Sequence, residues 1–224
     1  MNFEAVIFDL DGTLLDTLAD LADSMNTALR RLGYPEHDPE KYRYFVGDGM
    51  RNLARRVLPA GNQDEDLVER VVRAMTAEYD QRWAVKTKPY SGMEETLDRL
   101  AAVGLKLAVL SNKPDPFTKT MVAALLPRWQ FAPVLGARPD VPLKPDPTVA
   151  LEIAQTLKIA PGRCLYLGDT ATDMRTANAA GMFAVGAAWG FRTVEELRQS
   201  GARRVIHQPT DIMDLVETSD KNSR

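Results

Sequence analysis

The chain alternates short apolar runs with longer stretches in which apolar residues recur every three or four positions. Ala5-Val6-Ile7-Phe8 is a four-residue apolar run closed by Asp9-Leu10-Asp11-Gly12, the pattern of a buried strand feeding a turn. From Leu18 the apolar positions are 18, 21, 25, 28 and 32, followed by Gly33, which predicts an amphipathic helix beginning near Asp16-Thr17 and capped by the glycine. Asp38-Pro39 offers an N-cap and a first-turn proline for a second helix to about Val46. Met50–Leu58 and Asp64–Trp83 carry the same periodicity, so residues 16–86 read as all-helical.

After Pro89 the texture changes. A helix over Gly92–Val103 gives way to the strand-like run Leu105–Leu110, which leads into Ser111-Asn112. A helix through Thr118–Leu126, a strand near Val134-Leu135, a helix over Val149–Leu157 and the strand Cys164–Leu167 continue the alternation. Asp173–Ala180 reads as helix, Phe183–Val185 and Val205-Ile206 as strands, Asp211–Val216 as a short helix, and Thr218–Arg224 as a frayed polar tail. Alternating strands and helices predict an α/β fold with a doubly wound, Rossmann-like parallel sheet. The expected division is a core formed by residues 1–15 and 90–224, interrupted by an all-helical cap domain over 16–89.

Composition narrows the functional field. With 224 residues, 45% apolar, and 28 Lys+Arg against 31 Asp+Glu, the chain has an ordinary globular balance, no basic run and an expected lack of nucleic-acid partners. Cys164 is the single cysteine and His37 and His207 the only histidines, too few for a thiolate or imidazole metal cluster. The thiol count and the absence of a secretion signal or membrane span lead to the expectation of a cytoplasmic protein, monomeric or homodimeric. No G-x-S-x-G elbow or phosphate-binding G-x-x-x-x-G-K-[ST] loop occurs, and Gly47–Asn52 only begins like a dinucleotide fingerprint.

Polar groups gather where the predicted strands end or shortly after: Asp9/Asp11, Ser111/Asn112, Lys144 and Asp169/Asp173. Residues two apart in extended backbone point the same way, so Asp9 and Asp11 can converge, while Gly12 permits a tight turn. Asp173, four residues after Asp169, lies on the same side of a first helical turn. Converging carboxylates repel one another, and a hard divalent cation relieves this; oxygen-only donors favour Mg2+ over zinc. Mg2+, a lysine and backbone N–H groups together make a pocket for a dianionic phosphoryl group. Taken singly, several of these residues read as helix caps or loop residues, and Lys144-Pro145-Asp146-Pro147 resembles an ordinary helix start.

Phe8-Asp9-Leu10-Asp11-Gly12-Thr13, Ser111-Asn112-Lys113, Lys144-Pro145 and Gly168–Asp173 match in order the four motifs of the haloacid dehalogenase-like hydrolase superfamily. With the helical insertion after the first motif, S-N-K-P, P-Y-S-G at 89–92 and A-A-G at 179–181, the chain most resembles the phosphoglycolate phosphatase branch. That resemblance implies Asp9 as nucleophile and Asp11 as proton donor and later base, its carbonyl on the metal. Ser111, with Thr13 and Asn112, would hold phosphoryl oxygens, Lys144 would neutralise Asp9, and Asp169 and Asp173 would complete the Mg2+ site, Asp173 directly or through water. The implied activity is hydrolysis of a small phosphorylated metabolite, 2-phosphoglycolate first, with a pyrophosphatase or a sugar-phosphate phosphatase or mutase as alternatives. From another class, a receiver-like or silent phosphate-binding protein would use similar residues, but receivers are shorter and lack the second Asp at +2. Among Arg51, Arg55 and Arg56 on one predicted helix, Arg51 is nearest the Gly47–Gly49 loop and is the expected reader of a substrate carboxylate.

Overall fold

The computed structural model describes residues 3–61 and 64–217. In chain order the strands and α-helices are β1 (Ala5–Phe8), β2 (Leu15–Asp16), α1 (Leu18–Arg31), α2 (Tyr42–Phe45), α3 (Met50–Val57), α4 (Glu65–Arg82) and β3 (Lys88–Pro89). Then follow α5 (Met93–Ala102), β4 (Lys106–Pro114), α6 (Asp115–Leu125), β5 (Phe131–Ala137), α7 (Thr148–Leu157) and β6 (Cys164–Gly168). The last five are α8 (Ala171–Ala179), β7 (Phe183–Ala187), α9 (Val194–Gln199), β8 (Arg204–Ile206) and α10 (Ile212–Glu217), after which the polar tail lies outside the described residues.

Six strands form a parallel sheet in the order β5-β4-β1-β6-β7-β8, with helices on both faces. β1 is paired on both edges, so its side chains are buried on both faces, which is why Ala5–Phe8 is continuously apolar rather than alternating. The two-residue period still sorts them. Val6 and Phe8 join the cluster that includes α1, α4 and α5, whereas Ala5 and Ile7 join α7 and α8 on the opposite face. Burying each such large aliphatic or aromatic side chain is worth about 2–3 kcal/mol.

The chain leaves β1 toward β4 and β5 on one side and returns to β6, β7 and β8 on the other. The order therefore reverses between β1 and β6, the place where open α/β sheets build crevices. Parallel register levels the carboxyl ends: Phe8 lies opposite Val109 on one neighbour and Leu167 on the other. Asp9, Ser111 and Asp169 thus all follow within two residues of one level. Beyond Leu110, β4 does not stop; it runs through Ser111-Asn112-Lys113 to Pro114 and pairs with Ala137 across a register shift. The polar tetrapeptide has no strand propensity of its own, and pairing with β5 supplies it.

Between β2 and β3 the described residues are helical or irregular. The expected second helix is broken into a 3-10 turn at Pro39–Lys41 and the single-turn α2. The entrance and exit of this insertion are tied together: β2 and β3 pair antiparallel, Leu15 with Pro89 and Asp16 with Lys88. Just beyond, the buried Asp20 carboxylate accepts from Lys86 N (2.9 Å), Thr87 N (2.8 Å) and Thr87 Oγ1 (2.8 Å). No helix among the described residues is long and apolar enough to cross a membrane.

Candidate active site

Asp9 is the first residue after β1, its backbone N–H donating to Leu167 O at 2.9 Å and so continuing the ladder with β6. Its side chain is aimed by two donors to the same oxygen: Leu10 N (2.7 Å) and Lys144 Nζ (2.9 Å) both reach Oδ1. Oδ2 takes no hydrogen bond from any described residue, leaving one carboxylate oxygen for chemistry. Lys144 also meets Asp173 Oδ1 at 2.7 Å and Leu110 O at 3.2 Å, and all three charged side chains are at most 8% exposed. The Lys144 backbone is fixed by Asn112, whose Oδ1 accepts from Lys144 N (2.9 Å) and whose Nδ2 donates to Lys144 O (3.1 Å).

The opposite wall comes from β6. Asp169, following Gly168, accepts from Thr13 Oγ1 (2.8 Å) and Phe191 N (2.8 Å). Gly12, with φ +86°, and Gly190 press against Asp169 so closely that a Cβ on either would overlap it. Asp173 belongs to the first turn of α8, where it closes a capping box with Thr170: Oδ2 accepts from Thr170 N (3.0 Å) and Oγ1 (2.6 Å). The residue that caps the helix therefore also holds the acid that holds Lys144.

One oxygen each from Asp9, Asp169 and Asp173 lies within 4.8 Å of the others. Three buried carboxylates face one ammonium. Burial, then Asp173, push the Asp9 pKa up against the opposing pull of Lys144. Asp169 is pushed up to about 7 by burial and by Asp173, with the Phe191 and Thr13 hydrogen bonds opposing. Burial works against the charge on Lys144, but Asp173 and Asp9 outweigh it and raise its pKa. A surplus of buried negative charge on oxygen donors is what a hard cation fits. Asp11 is not in this group; its carboxylate turns to Lys113 Nζ, at 2.8 and 3.1 Å.

Thus the strand ends bring together Asp9, Lys144 and the Asp169/Asp173 pair from three separated segments, with Ser111, Asn112 and Asp11 lining the adjoining cleft. The cleft's other wall is apolar and comes from the insertion: Leu21, Val46, Met50 and Leu53. Thr13 is buried and spends its hydroxyl on Asp169, and the Asn112 amide is spent on Lys144 and on Gly47 O (3.1 Å). Arg51 is not brought to the cleft. It is half exposed and paired with Glu65 and Glu69 of α4. Arg51 and Arg55 share one face of α3 at a spacing of four, whereas the cleft is lined by Met50 and Leu53.

Several contacts had no clear sequence signal. Asn112, Thr172 (to Asp48 Oδ1, 2.7 Å) and Arg192 (to Val46 O, 3.1 Å) seat the Val46–Asp48 loop on the sheet, and Arg43 reaches Gly190 O at 3.0 Å. Lys113, only 3% exposed, lies 4.6 Å from the centre of the Tyr79 ring of α4. A lysine inside a strand-terminal S-N-K-P was the one available hint.

The doubly wound sheet, the inserted helices and the acidic strand-end site define a hydrolase of the haloacid dehalogenase type. The sequence pattern of haloacid dehalogenase-like hydrolases matches residues 6–187, and the chain belongs to that family. It is 32% identical over 219 residues to the phosphoglycolate phosphatase of Chromobacterium violaceum, covering 96% of this chain and 97% of that one. It is 31% identical over 212 residues to the phosphoglycolate phosphatase of Aquifex aeolicus, covering 95% and 96%. A crystal structure from Lactobacillus delbrueckii subsp. bulgaricus, of a protein assigned as a phosphoglycolate phosphatase, superposes with a TM-score of 0.90 at 29% identity, covering 96% of this chain and 99% of that one.

Proposed function

We propose that this chain is a Mg2+-dependent phosphatase that hydrolyses 2-phosphoglycolate, with a core formed by residues 1–15 and 90–224 and a helical cap over 16–89. The observation that carries the chemistry is the one-sided clamping of Asp9: Lys144 and Leu10 N hold Oδ1, and no described residue donates to Oδ2. Oδ2 attacks phosphorus, the P–O bond to the leaving group breaks, and Asp11 gives that oxygen a proton. Water then attacks the aspartyl phosphate, Asp11 takes the water's proton, and the P–O bond to Asp9 breaks to release inorganic phosphate. Ser111, which lines the same cleft, holds a phosphoryl oxygen in this reading, and Lys144 offsets negative charge as phosphorus is attacked.

Asp9, the Asp11 carbonyl and Asp169 would hold Mg2+, with Asp173 bonding it directly or through a water. Bound there, the ion would draw charge from the phosphoryl oxygens and relieve the repulsion among the aspartates. Support for the substrate is the near full-length similarity to phosphoglycolate phosphatases at about 30% identity together with a small cleft. The test is phosphate release, with and without Mg2+, from 2-phosphoglycolate, pyrophosphate, hexose phosphates, nucleoside monophosphates and p-nitrophenyl phosphate. Highest kcat/KM on 2-phosphoglycolate, lost with chelator, is expected; a flat profile or full activity in chelator would refute the assignment.

A further inference from the structure

A substrate whose leaving group carries a carboxylate brings a second negative charge into the cleft. That charge enters a space walled on one side by Leu21, Val46, Met50 and Leu53, where an unpartnered ion is costly. The arginines of α3 do not help, because Arg51 and Arg55 are engaged with Glu65 and Glu69. Lys144 is committed to Asp9, Asp173 and Leu110 O. Among the residues lining the cleft, the one cation is Lys113.

Its placement fits the task. Lys113 Nζ straddles both oxygens of Asp11, at 2.8 and 3.1 Å, so it stands beside the group that serves the leaving oxygen. In a 2-phosphoester of glycolate the carboxylate carbon is two bonds from that oxygen, a separation of about 2.4 Å on ordinary covalent geometry. A carboxylate there falls within hydrogen-bonding reach of an ammonium that is already touching Asp11. The stem is fixed by burial and by the Tyr79 ring, so the charge is positioned before substrate arrives.

We propose that Lys113 is a specificity-determining residue, its ammonium sharing itself between Asp11 and a carboxylate on the leaving group and so selecting phosphoesters of small hydroxy acids over those of neutral alcohols. This rests on the phosphatase reading above. It moves carboxylate recognition from the surface of the inserted helices to the end of β4.

The test compares kcat/KM for 2-phosphoglycolate and for 2-hydroxyethyl phosphate, which replaces the carboxylate by a hydroxymethyl group, in wild type, Lys113→Met and Lys113→Arg. Because Lys113 also holds Asp11, Lys113→Met lowers turnover of both. The expected signature is a further loss on 2-phosphoglycolate of about 10- to 100-fold, carried in KM, with Lys113→Arg keeping most of the wild-type preference. Equal losses on both substrates, or collapse of the preference in Arg51→Ala instead, would overturn the proposal.

A second arm uses competitive inhibition of p-nitrophenyl phosphate hydrolysis by glycolate and by ethylene glycol. It needs only wild type, so it stands even if Lys113→Met fails to fold. Glycolate is expected to inhibit at concentrations at least about tenfold lower, and equal potency would overturn the role. Wild type that hydrolyses p-nitrophenyl phosphate but not 2-phosphoglycolate would remove the substrate assignment alone, with the inhibition arm still deciding Lys113.

Discussion

Two regions of this molecule are built from the same chemical groups and put them to opposite use. At the strand ends, Asp9, Asp169, Asp173 and Lys144 are at most 8% exposed. On the α3–α4 face, Arg51, Arg55, Glu65 and Glu69 are 34–61% exposed and pair in a chain, Arg55 with Glu65, Glu65 with Arg51 and Arg51 with Glu69. In the first, acids outnumber the base, and burial pushes Asp9 and Asp169 toward the protonated form. In the second, bases equal acids in number and water screens each pair. Chemistry follows from imbalance held in place by the sheet, not from the number of charges. A residue's type therefore says less about its role than whether its partners are buried with it.

The sharpest way to break this comparison is Asp9→Asn. The amide keeps the size and can still accept from Leu10 N, but it removes the nucleophilic charge and one of three competing acids. Turnover is expected to fall by roughly 10^4-fold or more while circular dichroism and Tm stay near wild type. Stability is expected to hold or rise, because one buried charge has gone. A variant retaining a tenth of wild-type activity would remove Asp9 from the reaction.

Metal and pH probe the imbalance itself. Asp169 titrates near 7 in the folded chain and near 4 when unfolded, so between those values the folded state holds a proton the unfolded state has lost. Its contribution to stability is thus present at low pH and falls as pH rises from about 4 to about 7, and Asp9 acts in the same direction. Calorimetry of the chelated protein should show Tm decreasing between pH 5 and pH 8. Millimolar Mg2+ should raise Tm at pH 8 and much less at pH 5, because protons and the cation compete for the same oxygens. A chelated protein whose Tm rises steadily over this range would mean that the cluster does not carry surplus charge.

The legibility of the sequence divides along the same line. Asp9 and Asp169 could be read because each follows an apolar run that predicts a buried strand, so residue type and burial were visible together. Asp173 could be placed by its four-residue spacing from Asp169. The family pattern supplied Lys144, for a lysine in a loop before a proline carries no local sign of its partners, Asp9 and Asp173. Lys113 was opaque as a functional residue: its partner Asp11 is 102 residues away, and its ring contact comes from the inserted α4. Arg51 shows the converse. It is close to the glycine loop along the chain, but the helical repeat turns its side chain toward Glu65 and Glu69 in this structure. β4 reads four residues short because Ser, Asn, Lys and Pro depend on β5 for their strand geometry.

Asp20 offers an intermediate case, a carboxylate as buried as those of the site but answered mainly by backbone N–H groups. It accepts from Lys86 N, Thr87 N and Thr87 Oγ1, closing the neck through which both connections of the helical insertion pass. Asp20→Ala would strand two buried donors and is expected to cost about 3 kcal/mol, a Tm loss of roughly 10 °C. Asp20→Asn, which keeps an acceptor, should recover part of it. If Asp20→Ala leaves Tm unchanged, the neck is held by the β2–β3 pairing alone.

The smallest expected effect tests the other side of the comparison. Arg51→Ala removes a cation from two exposed carboxylates that water solvates as readily, and Arg55 remains to face Glu65. Tm should stay within experimental scatter, and raising the salt concentration should erase any residual difference. Because Arg51 does not line the cleft, kcat/KM should change less than about threefold on both 2-phosphoglycolate and p-nitrophenyl phosphate. A large loss confined to 2-phosphoglycolate would mean that the insertion swings Arg51 over the bound substrate. The surface pairs of α3 would then be a resting arrangement traded away during turnover, and exposure in this structure would no longer separate the groups that do chemistry from those that do not.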